Sequence, residues 1–233
     1  MTRMTRMIDF PRSLIEFQRR FPDEAACVKY LFAVRWPEGF VCPGCGSIKA
    51  WELQTKAWTW ECADCGKQTS VTAGTVMHHS KLPLTAWFWA AYLMATHSNG
   101  ISALQLQRQL GFGSYKTAWL VCAKLRRSTV APGRSLLTGL VEVDETAIAC
   151  RSKNDPLTGG GRRSHQGKMI VVGAVEVEDG GAGPGRIRLA GLPDYSAQSL
   201  HPFIANNLAA GATAKTDGWS AYSGAPGVNH DPH

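Results

Sequence analysis

Two closely spaced cysteine pairs constrain the fold of this 233-residue chain more than any other feature of its sequence. The pairs lie in CPGC and CADC, and the sixteen residues between them, 46–61, alternate like a β-hairpin. Four thiolates on two tight turns provide the tetrahedral sulfur cage that Zn²⁺ prefers, so the spacing predicts a zinc ribbon over residues 41–75. The predicted zinc ligands are Cys42, Cys45, Cys62 and Cys65. Such a module binds nucleic acid or another protein, and the spacing does not choose between the two.

The other cysteines and the nearest histidines are predicted to lie outside this metal site. Cys27, Cys122 and Cys150 fall on predicted helices or a strand, and we expect them in the core. His78 and His79 follow the second cysteine pair. Because four cysteines already complete a zinc site, we expect both histidines at the surface.

The charge of the chain is unevenly distributed. The net charge is +7, and no acidic residue occurs between Asp64 and Glu142, an interval that holds eight lysines and arginines. A surface of one sign is typical of phosphate binding, whereas an ordinary solvated surface mixes both signs. The distribution therefore favours a nucleic-acid partner.

Residues 82–130 have the pattern of helices broken by a glycine turn. Ile101, Leu104 and Leu110 predict one buried stripe, and Ser114 can cap the helix that follows Gly111 and Gly113. An apolar inner face with a basic outer face is how a recognition helix meets DNA, although a plain helical bundle gives the same pattern. The candidate DNA contacts are Arg108, Lys116, Lys124, Arg126 and Arg127.

The remaining segments indicate an α/β protein of several domains. Residues 1–40 form an N-terminal helical segment, with Asp23 as the N-cap of its second helix. After a linker at residues 131–134, the region 138–233 changes to strands. Its predicted elements are strands at 140–149, 169–178 and 186–192, a helix at about 196–209, and a strand at 212–217.

Carboxylates inside two of these strands point to a second metal site. Side chains alternate across a strand, so Glu142 and Asp144 project to one face and Glu145 to the other, while Asp217 ends the last strand. If the two strands are neighbours, Asp144 and Asp217 converge, and they repel unless a cation lies between them. Oxygen ligands suit Mg²⁺ or Mn²⁺. Asp-Gly at 217–218 is also a common turn signal, so ordinary structural acids remain the alternative.

The two glutamates of this strand receive subsidiary roles. We expect Glu142 to lie next to the metal ligands without binding the metal, and Glu145 to pair with Arg162 or Arg163.

The order of these parts resembles the bacterial insertion-sequence transposases that join an N-terminal zinc ribbon to a DDE catalytic domain. The resemblance rests on "CPGCG…CADCGKQTSVTAGTVM", then "VEVDET", then "TDGWSAYSG…HDPH", and covers nearly the whole chain. It implies a zinc ribbon, a helix-turn-helix-like segment and a ribonuclease H-like mixed sheet that is incomplete. It also implies cutting and joining of DNA, with Asp144 and Asp217 as catalytic residues that hold Mg²⁺ or Mn²⁺, and homo-oligomers acting on element ends and target DNA.

One departure from that family affects the expected activity. The family has a third catalytic residue on a helix that follows another strand, and the chain ends in GVNHDPH, before either element is expected. We therefore do not assign His230, Asp231 or His233 as ligands. The chain is expected to be a transposase that is either a truncated copy, whose activity the loss of the third residue leaves open, or one half of a frameshifted gene. The alternative is a zinc-dependent DNA-binding regulator without catalysis.

The N-terminus and the longest apolar stretch bear on the location of the chain. The basic start is not followed by an apolar run, and the stretch from Leu82 to Ala95 is too short to span a bilayer. We expect a cytoplasmic, nucleoid-associated protein without a membrane partner.

Overall fold

The computed structural model describes residue 11 and residues 13–130, 133–150, 167–178 and 183–232. The chain forms two compact units, Met1–Ala131 and Pro132–His233. The division falls in the predicted linker, where the composition changes from helical to strand-forming.

The first unit begins with two capped helices, as the sequence predicts. Helix α1 spans Leu14–Arg20, and helix α2 spans Glu24–Arg35. The carboxylate of Asp23 accepts a hydrogen bond from Ala26 N at 2.8 Å, which satisfies one of the free N–H groups at the start of α2. Helix α2 ends at Arg35, and its C-cap residue Trp36 precedes a proline that cannot continue the helix.

Three short antiparallel strands follow and confirm the predicted ribbon. They are β1 at Ala50–Glu52, β2 at Thr59–Cys62 and β3 at Gln68–Ser70, with β2 in the centre. The ribbon has a small apolar core that includes Trp36 and Phe40 beside the buried Cys42 and Cys62. So few buried side chains supply little hydrophobic stabilisation, which is typical of modules that a bound metal completes.

The rest of the first unit is helical, with α3 at Leu84–Thr96, α4 at Ala103–Leu110 and α5 at Tyr115–Ser128. The predicted buried stripe through Leu104 is wrong: Leu104 is 45% exposed, whereas Leu106 is fully buried. Helix α4 begins only at Ala103, so Ile101 precedes the helix and does not share its periodicity. The helix instead turns Ala103, Leu106 and Leu110 inward, at the i, i+3, i+7 spacing of one face.

The described residues of the second unit form a mixed five-stranded sheet and one α-helix. Strands β4 (Leu140–Ala149), β5 (Lys168–Val177) and β6 (Pro184–Leu192) are antiparallel, and helix α6 spans Ala197–Asn207. Strand β7 (Thr213–Thr216) returns parallel to β4 and gives the order β6-β5-β4-β7-β8. This mixed sheet confirms the predicted fold class.

One face of this sheet packs against helix α6, and the other face is exposed. On one face Val141, Val143 and Val172 are almost fully buried and belong to the same core as Leu200 and Ile204 of α6. On the other face Ile148, Met169, Ile187 and Leu189 are exposed. The alternation along β4 therefore separates a core-facing row from an open row.

Strand β8 corrects one expectation from the sequence. The sequence placed the next strand beyond residue 233, but Asn229–Pro232 form it and pair in parallel with β7. The signal was weak because NHDP is short, polar and contains a proline, which sheets tolerate only at an edge. His230 lies 3.0 Å through Nε2 from the Thr216 hydroxyl, so its ring faces a neighbouring strand. Residue 233 lies outside the described part of the chain.

Candidate functional site

The four predicted zinc ligands lie together. Their Sγ atoms are all within 4.8 Å of one another, with Cys42 to Cys65 at 3.6 Å and Cys45 to Cys62 at 3.5 Å. Zinc–sulfur bonds of about 2.3 Å in a tetrahedron place the sulfurs about 3.8 Å apart, so this cluster fits the ion. The four-cysteine cluster is thus a structural zinc-ribbon site.

Backbone hydrogen bonds shape the two turns that hold these cysteines. Each pair closes a turn in which the following glycine donates to the first cysteine: Gly46 N to Cys42 O at 2.9 Å, and Gly66 N to Cys62 O at 3.0 Å. Both glycines have positive φ, 77° and 67°, a conformation that other residues adopt at a cost. Backbone N–H groups of Cys45 and Gly44 lower the pKa of Cys42 to about 6, which favours the thiolate that binds metal.

The three other cysteines divide into two kinds. Cys27 and Cys122 are fully buried in the helical core, as predicted, and burial raises the pKa of Cys27 to about 12. The prediction for Cys150 is wrong, because this residue is exposed. It follows the last residue of β4, where the outer half of the strand from Thr146 onward has no cover among the described residues.

The predicted DNA-contacting side chains are not equivalent. Arg108, Lys116 and Arg127 are exposed. Lys124 is half-buried, with Nζ 5.8 Å from the ring centre of Trp87, and the exposed Arg126 donates to the carbonyl of Ile101 at 3.4 Å. Lys124 is therefore partly turned toward α3, while the others extend from α4 and α5.

The exposed face of α5 also carries apolar side chains that the sequence reading missed. Tyr115, Trp119 and Leu120 are each about half exposed, at 50%, 55% and 50%. Lys116 and Arg127 are exposed on the same helix. The signal was the spacing of Tyr115 and Trp119, four residues apart, which puts two aromatic rings on one helix face.

One aspartate lies in strand β4, and the other follows directly after the neighbouring parallel strand β7. The register pairs Glu142 of β4 with Lys215 of β7, and two residues further along each chain lie Asp144 and Asp217. Asp144 lies in the open row of β4, and Asp217 follows the buried Thr216 and is exposed. The pairing of β4 with β7 brings the two residues to the same level along neighbouring parallel segments of the chain.

Local hydrogen bonds orient each aspartate. Asp144 Oδ1 accepts from Glu145 N at 2.8 Å, and Asp217 Oδ1 accepts from Trp219 N at 3.0 Å. The second bond closes a turn, and Gly218 within it has φ 76°. Among the residues described, the four cysteines are the only group of three or more possible ligands close enough to share a metal, so neither aspartate belongs to such a group.

The described partners of the two glutamates of β4 are a lysine and a tyrosine. Glu142 is exposed and lies 3.9 Å from Lys215 Nζ. Glu145 accepts a hydrogen bond from the hydroxyl of Tyr222, a fully buried residue that the sequence reading did not single out. Burial raises the pKa of Glu145, and the charges of Asp217 and Asp144 raise it further. Arg162 and Arg163, the predicted partners, lie outside the described residues.

None of the helices in the described part of the chain combines the length and the apolar character needed to cross a membrane.

Two family models match the chain. The model described as a transposase zinc-ribbon domain matches residues 22–68, and the model of an ISXO2-like transposase domain matches residues 136–232. The first covers the four cysteines, and the second covers both aspartates.

Two individual proteins are similar to the chain. An uncharacterized protein in transposable element ISH50 of Halobacterium salinarum is 27% identical over 215 residues, which are 88% of this chain and 70% of that protein. A chain of the cryo-EM structure of the simian T-cell lymphotropic virus intasome in complex with PP2A regulatory subunit B56 gamma is 15% identical. The match covers 62% of this chain and 51% of that one. Its TM-score of 0.26 is too low to support a conclusion about the fold.

Proposed function

Because this chain belongs to the insertion-sequence transposases of the ISXO2-like group, we propose that it binds DNA and uses divalent metal to cut and join phosphodiester bonds. The proposal is supported most directly by the parallel register of β4 and β7, whose last pair, Glu142 and Lys215, comes two residues before Asp144 and Asp217. Two carboxylates at such a point repel one another unless a cation lies between them.

The chemical roles of the two aspartates follow from their carboxylate oxygens. Asp144 and Asp217 would hold Mg²⁺ or Mn²⁺ through carboxylate oxygens, the ligands these ions prefer. When bound, such ions activate an attacking oxygen and stabilise the leaving one in phosphodiester chemistry. The backbone bonds from Glu145 N and Trp219 N hold one oxygen of each aspartate and so orient the carboxylates.

DNA contact is assigned to α4 and α5. Arg108, Lys116 and Arg127 offer exposed positive charge for phosphates, and Lys124 and Arg126 add to the same basic helix. The exposed rings of Tyr115 and Trp119 can pack against sugars or unstacked bases. We further propose that the chain acts as a homo-oligomer on element ends and target DNA, in the cytoplasm and associated with the nucleoid.

A second candidate function is a zinc-dependent DNA-binding regulator without catalysis. It is favoured by one observation: within the described residues, no third carboxylate or histidine joins Asp144 and Asp217 in a ligand group. The zinc site and the basic helices serve both functions equally.

Nicking of supercoiled plasmid in Mn²⁺ separates the two candidates. A transposase should nick the plasmid, and Asp144→Asn and Asp217→Asn should abolish nicking while DNA affinity is kept. The control is Asp231→Asn, which removes an exposed carboxylate from β8 of the same sheet and should nick like the wild type. If the wild-type protein binds DNA but never nicks it, or if Asp144→Asn nicks normally, the catalytic proposal is wrong and the regulator remains.

A further inference from the structure

A cavity of about 300 Å³ opens in the first unit beside α3 and α5. Its floor includes the buried Trp87 and Val121, and Ser80, Lys81 and Lys124 lie in its wall. Helix α5 contributes several of the lining residues, so the cavity adjoins the helix assigned to DNA contact.

The hydroxyl of Ser80 can donate a hydrogen bond into this cavity. The Ser80 hydroxyl oxygen accepts hydrogen bonds from Trp87 Nε1 at 3.0 Å and from Leu82 N at 3.1 Å. A hydroxyl has two lone pairs and one proton. Because the Ser80 oxygen already accepts two hydrogen bonds, the hydroxyl can interact with a bound group only by donating its proton.

The charges in the cavity are also of one sign. The Lys124 ammonium lies against the Trp87 ring, and Lys81 stands exposed at the rim. No carboxylate is found among the described residues that line the cavity, and the sequence has none from 65 to 141. A pocket of ammonium and hydroxyl donors without a carboxylate suits an anion whose oxygens accept several hydrogen bonds.

We propose that this cavity binds a backbone phosphate of DNA and so fixes the position of α5 on the duplex. The assignment rests on the proposed function, because it gives an anchoring point to the DNA that the chain is proposed to bind. Phosphate contacts set the register of a protein on DNA without reading sequence, so the anchor would act alike on all sequences.

The test is fluorescence anisotropy of a labelled duplex over a range of salt concentrations. Lys81→Gln and Lys124→Gln should each weaken binding and reduce the slope of log affinity against log salt by about 0.9. The matched control is Lys29→Gln, which removes one exposed charge from α2 and no cavity group. Binding of Ser80→Ala should weaken with an unchanged slope, because a neutral donor releases no counterion.

The possible results separate the cavity from the proposed function. If the wild-type protein shows no salt-dependent DNA affinity, the proposed function fails and the cavity assignment with it. If the wild type binds and both cavity lysine variants lose no more than Lys29→Gln, only the cavity assignment is overturned. If these variants keep DNA affinity but lose calorimetric binding of inorganic phosphate, the cavity takes free phosphate and the DNA assignment is again overturned.

A second inference concerns the pair formed by Glu145 and Tyr222. Glu145 follows Asp144 but lies in the core-facing row of β4, below the open face. Tyr222 is fully buried, ends a single 3-10 turn at Ser220–Tyr222, and donates its hydroxyl proton to Glu145. The segment that begins at Asp217 is therefore tied to β4 at the residue next to Asp144.

Further contacts hold the same segment from the other side. His201 of α6 lies 3.0 Å through Nε2 from the carbonyl oxygen of Ala221, and the Trp219 indole donates to the carbonyl of Tyr195 at 3.4 Å. These two contacts hold the turn against α6 and the residues before it. Among the hydrogen bonds described, the one from the Tyr222 hydroxyl is the only side-chain bond that links the end of the turn to β4.

We propose that Tyr222 and Glu145 are positioning residues that set the separation of Asp144 and Asp217 for a divalent cation. This inference rests on the proposed function, since it assumes that the two aspartates hold a metal. Partners behind metal ligands typically change metal affinity by about ten- to a hundredfold when removed.

The test is Mn²⁺ binding followed by electron paramagnetic resonance. Tyr222→Phe keeps the buried ring and removes the hydroxyl, and it should weaken Mn²⁺ binding about tenfold. The control is Ile204→Val, which trims a fully buried side chain in the same core and leaves the hydrogen bonds intact. It should lower the melting temperature and keep the Mn²⁺ affinity.

The outcomes again distinguish the two proposals. If Asp144→Asn binds Mn²⁺ as the wild type does, the metal site of the proposed function is wrong. If Asp144→Asn loses Mn²⁺ while Tyr222→Phe binds it like Ile204→Val, the positioning role is overturned and the metal site stands.

Discussion

Single side chains in both units carry charges whose pKa values are set by near neighbours. Glu176 of β5 accepts two hydrogen bonds from Arg186 at 2.6 and 2.7 Å, and one from Thr138 N at 2.9 Å. Donation by Arg186 and then by Thr138 lowers the pKa of Glu176 from 4.5 to about 2. The ion pair ties β5 to β6 and to the residues before β4.

The lowered pKa of Glu176 predicts how stability depends on pH. A carboxyl with a depressed folded-state pKa stabilises the protein above its ordinary value of 4.5, and this contribution is lost as pH falls toward about 2. The urea midpoint of the wild type should therefore fall between about pH 5 and pH 2.5, and Glu176→Gln should flatten that fall. Glu178→Gln, at an exposed carboxyl nearby, should keep the wild-type slope; an equal flattening would contradict the assignment.

The zinc ligands also permit a prediction for a single residue. Cys62 is fully buried, so Cys62→Ser should lose the metal and unfold the ribbon strands, because the module has little core of its own. Zinc released by acid should fall from about one ion per chain to nearly none. Cys150→Ser changes an exposed cysteine outside the cluster and should retain the zinc.

Among the elements, helix α3 depends on a cap from another helix. Its N-cap position is Pro83, which supplies no side-chain hydrogen bond. The carboxylate of Glu24, in the first turn of α2, instead accepts from Leu84 N at 2.9 Å and from Thr85 N at 2.7 Å. One carboxylate thus satisfies two free N–H groups and joins two helices that also share an apolar core.

Removal of this cap should destabilise the first unit. Glu24→Ala leaves both N–H groups without their acceptor and should lower the free energy of unfolding by about 1–2 kcal/mol, measured by urea denaturation. Glu38→Ala changes an exposed glutamate just after α2 and should cost much less. Equal losses in the two variants would mean that charge alone, and not the cap, is responsible.

The whole molecule consists of two units with separate cores and different means of stabilisation. The first unit adds a four-cysteine site to its helical and aromatic cores. The second depends on a sheet covered by α6 and carries both aspartates. Two compact units with their own cores are expected to unfold as separate cooperative transitions.

Chelation should act on one of these transitions. In scanning calorimetry, a zinc chelator should lower the melting temperature of the first unit, because metal binds only its folded form. Glu176 lies in the second unit, so the transition that Glu176→Gln shifts is the unfolding of that unit. The melting temperature of this transition should not change when the chelator is added. A chelator that moves both transitions together would show that the units unfold as one.

The sequence alone determined those features whose interactions are local. The cysteine spacing defines the zinc ribbon because all four ligands lie on two short turns, and Asp23 and Ser114 cap their helices through groups two or three residues away. The alternation in GLVEVDETAIA likewise places Asp144 on the face of the strand opposite Glu145, and the burial along β4 follows that alternation at Val141, Val143 and Asp144.

The tertiary structure decided what depends on partners far along the chain. The pairing of β4 with β7, the use of NHDP as strand β8, and the bond from Tyr222 to Glu145 each join segments that no local pattern links. Leu106 replaced Leu104 in the core, and Cys150 stayed exposed, because burial depends on which elements pack against a residue. The partners of a local hydrogen bond lie within a few residues of each other in the sequence. The burial of a side chain instead depends on all the elements that pack around it in the folded core.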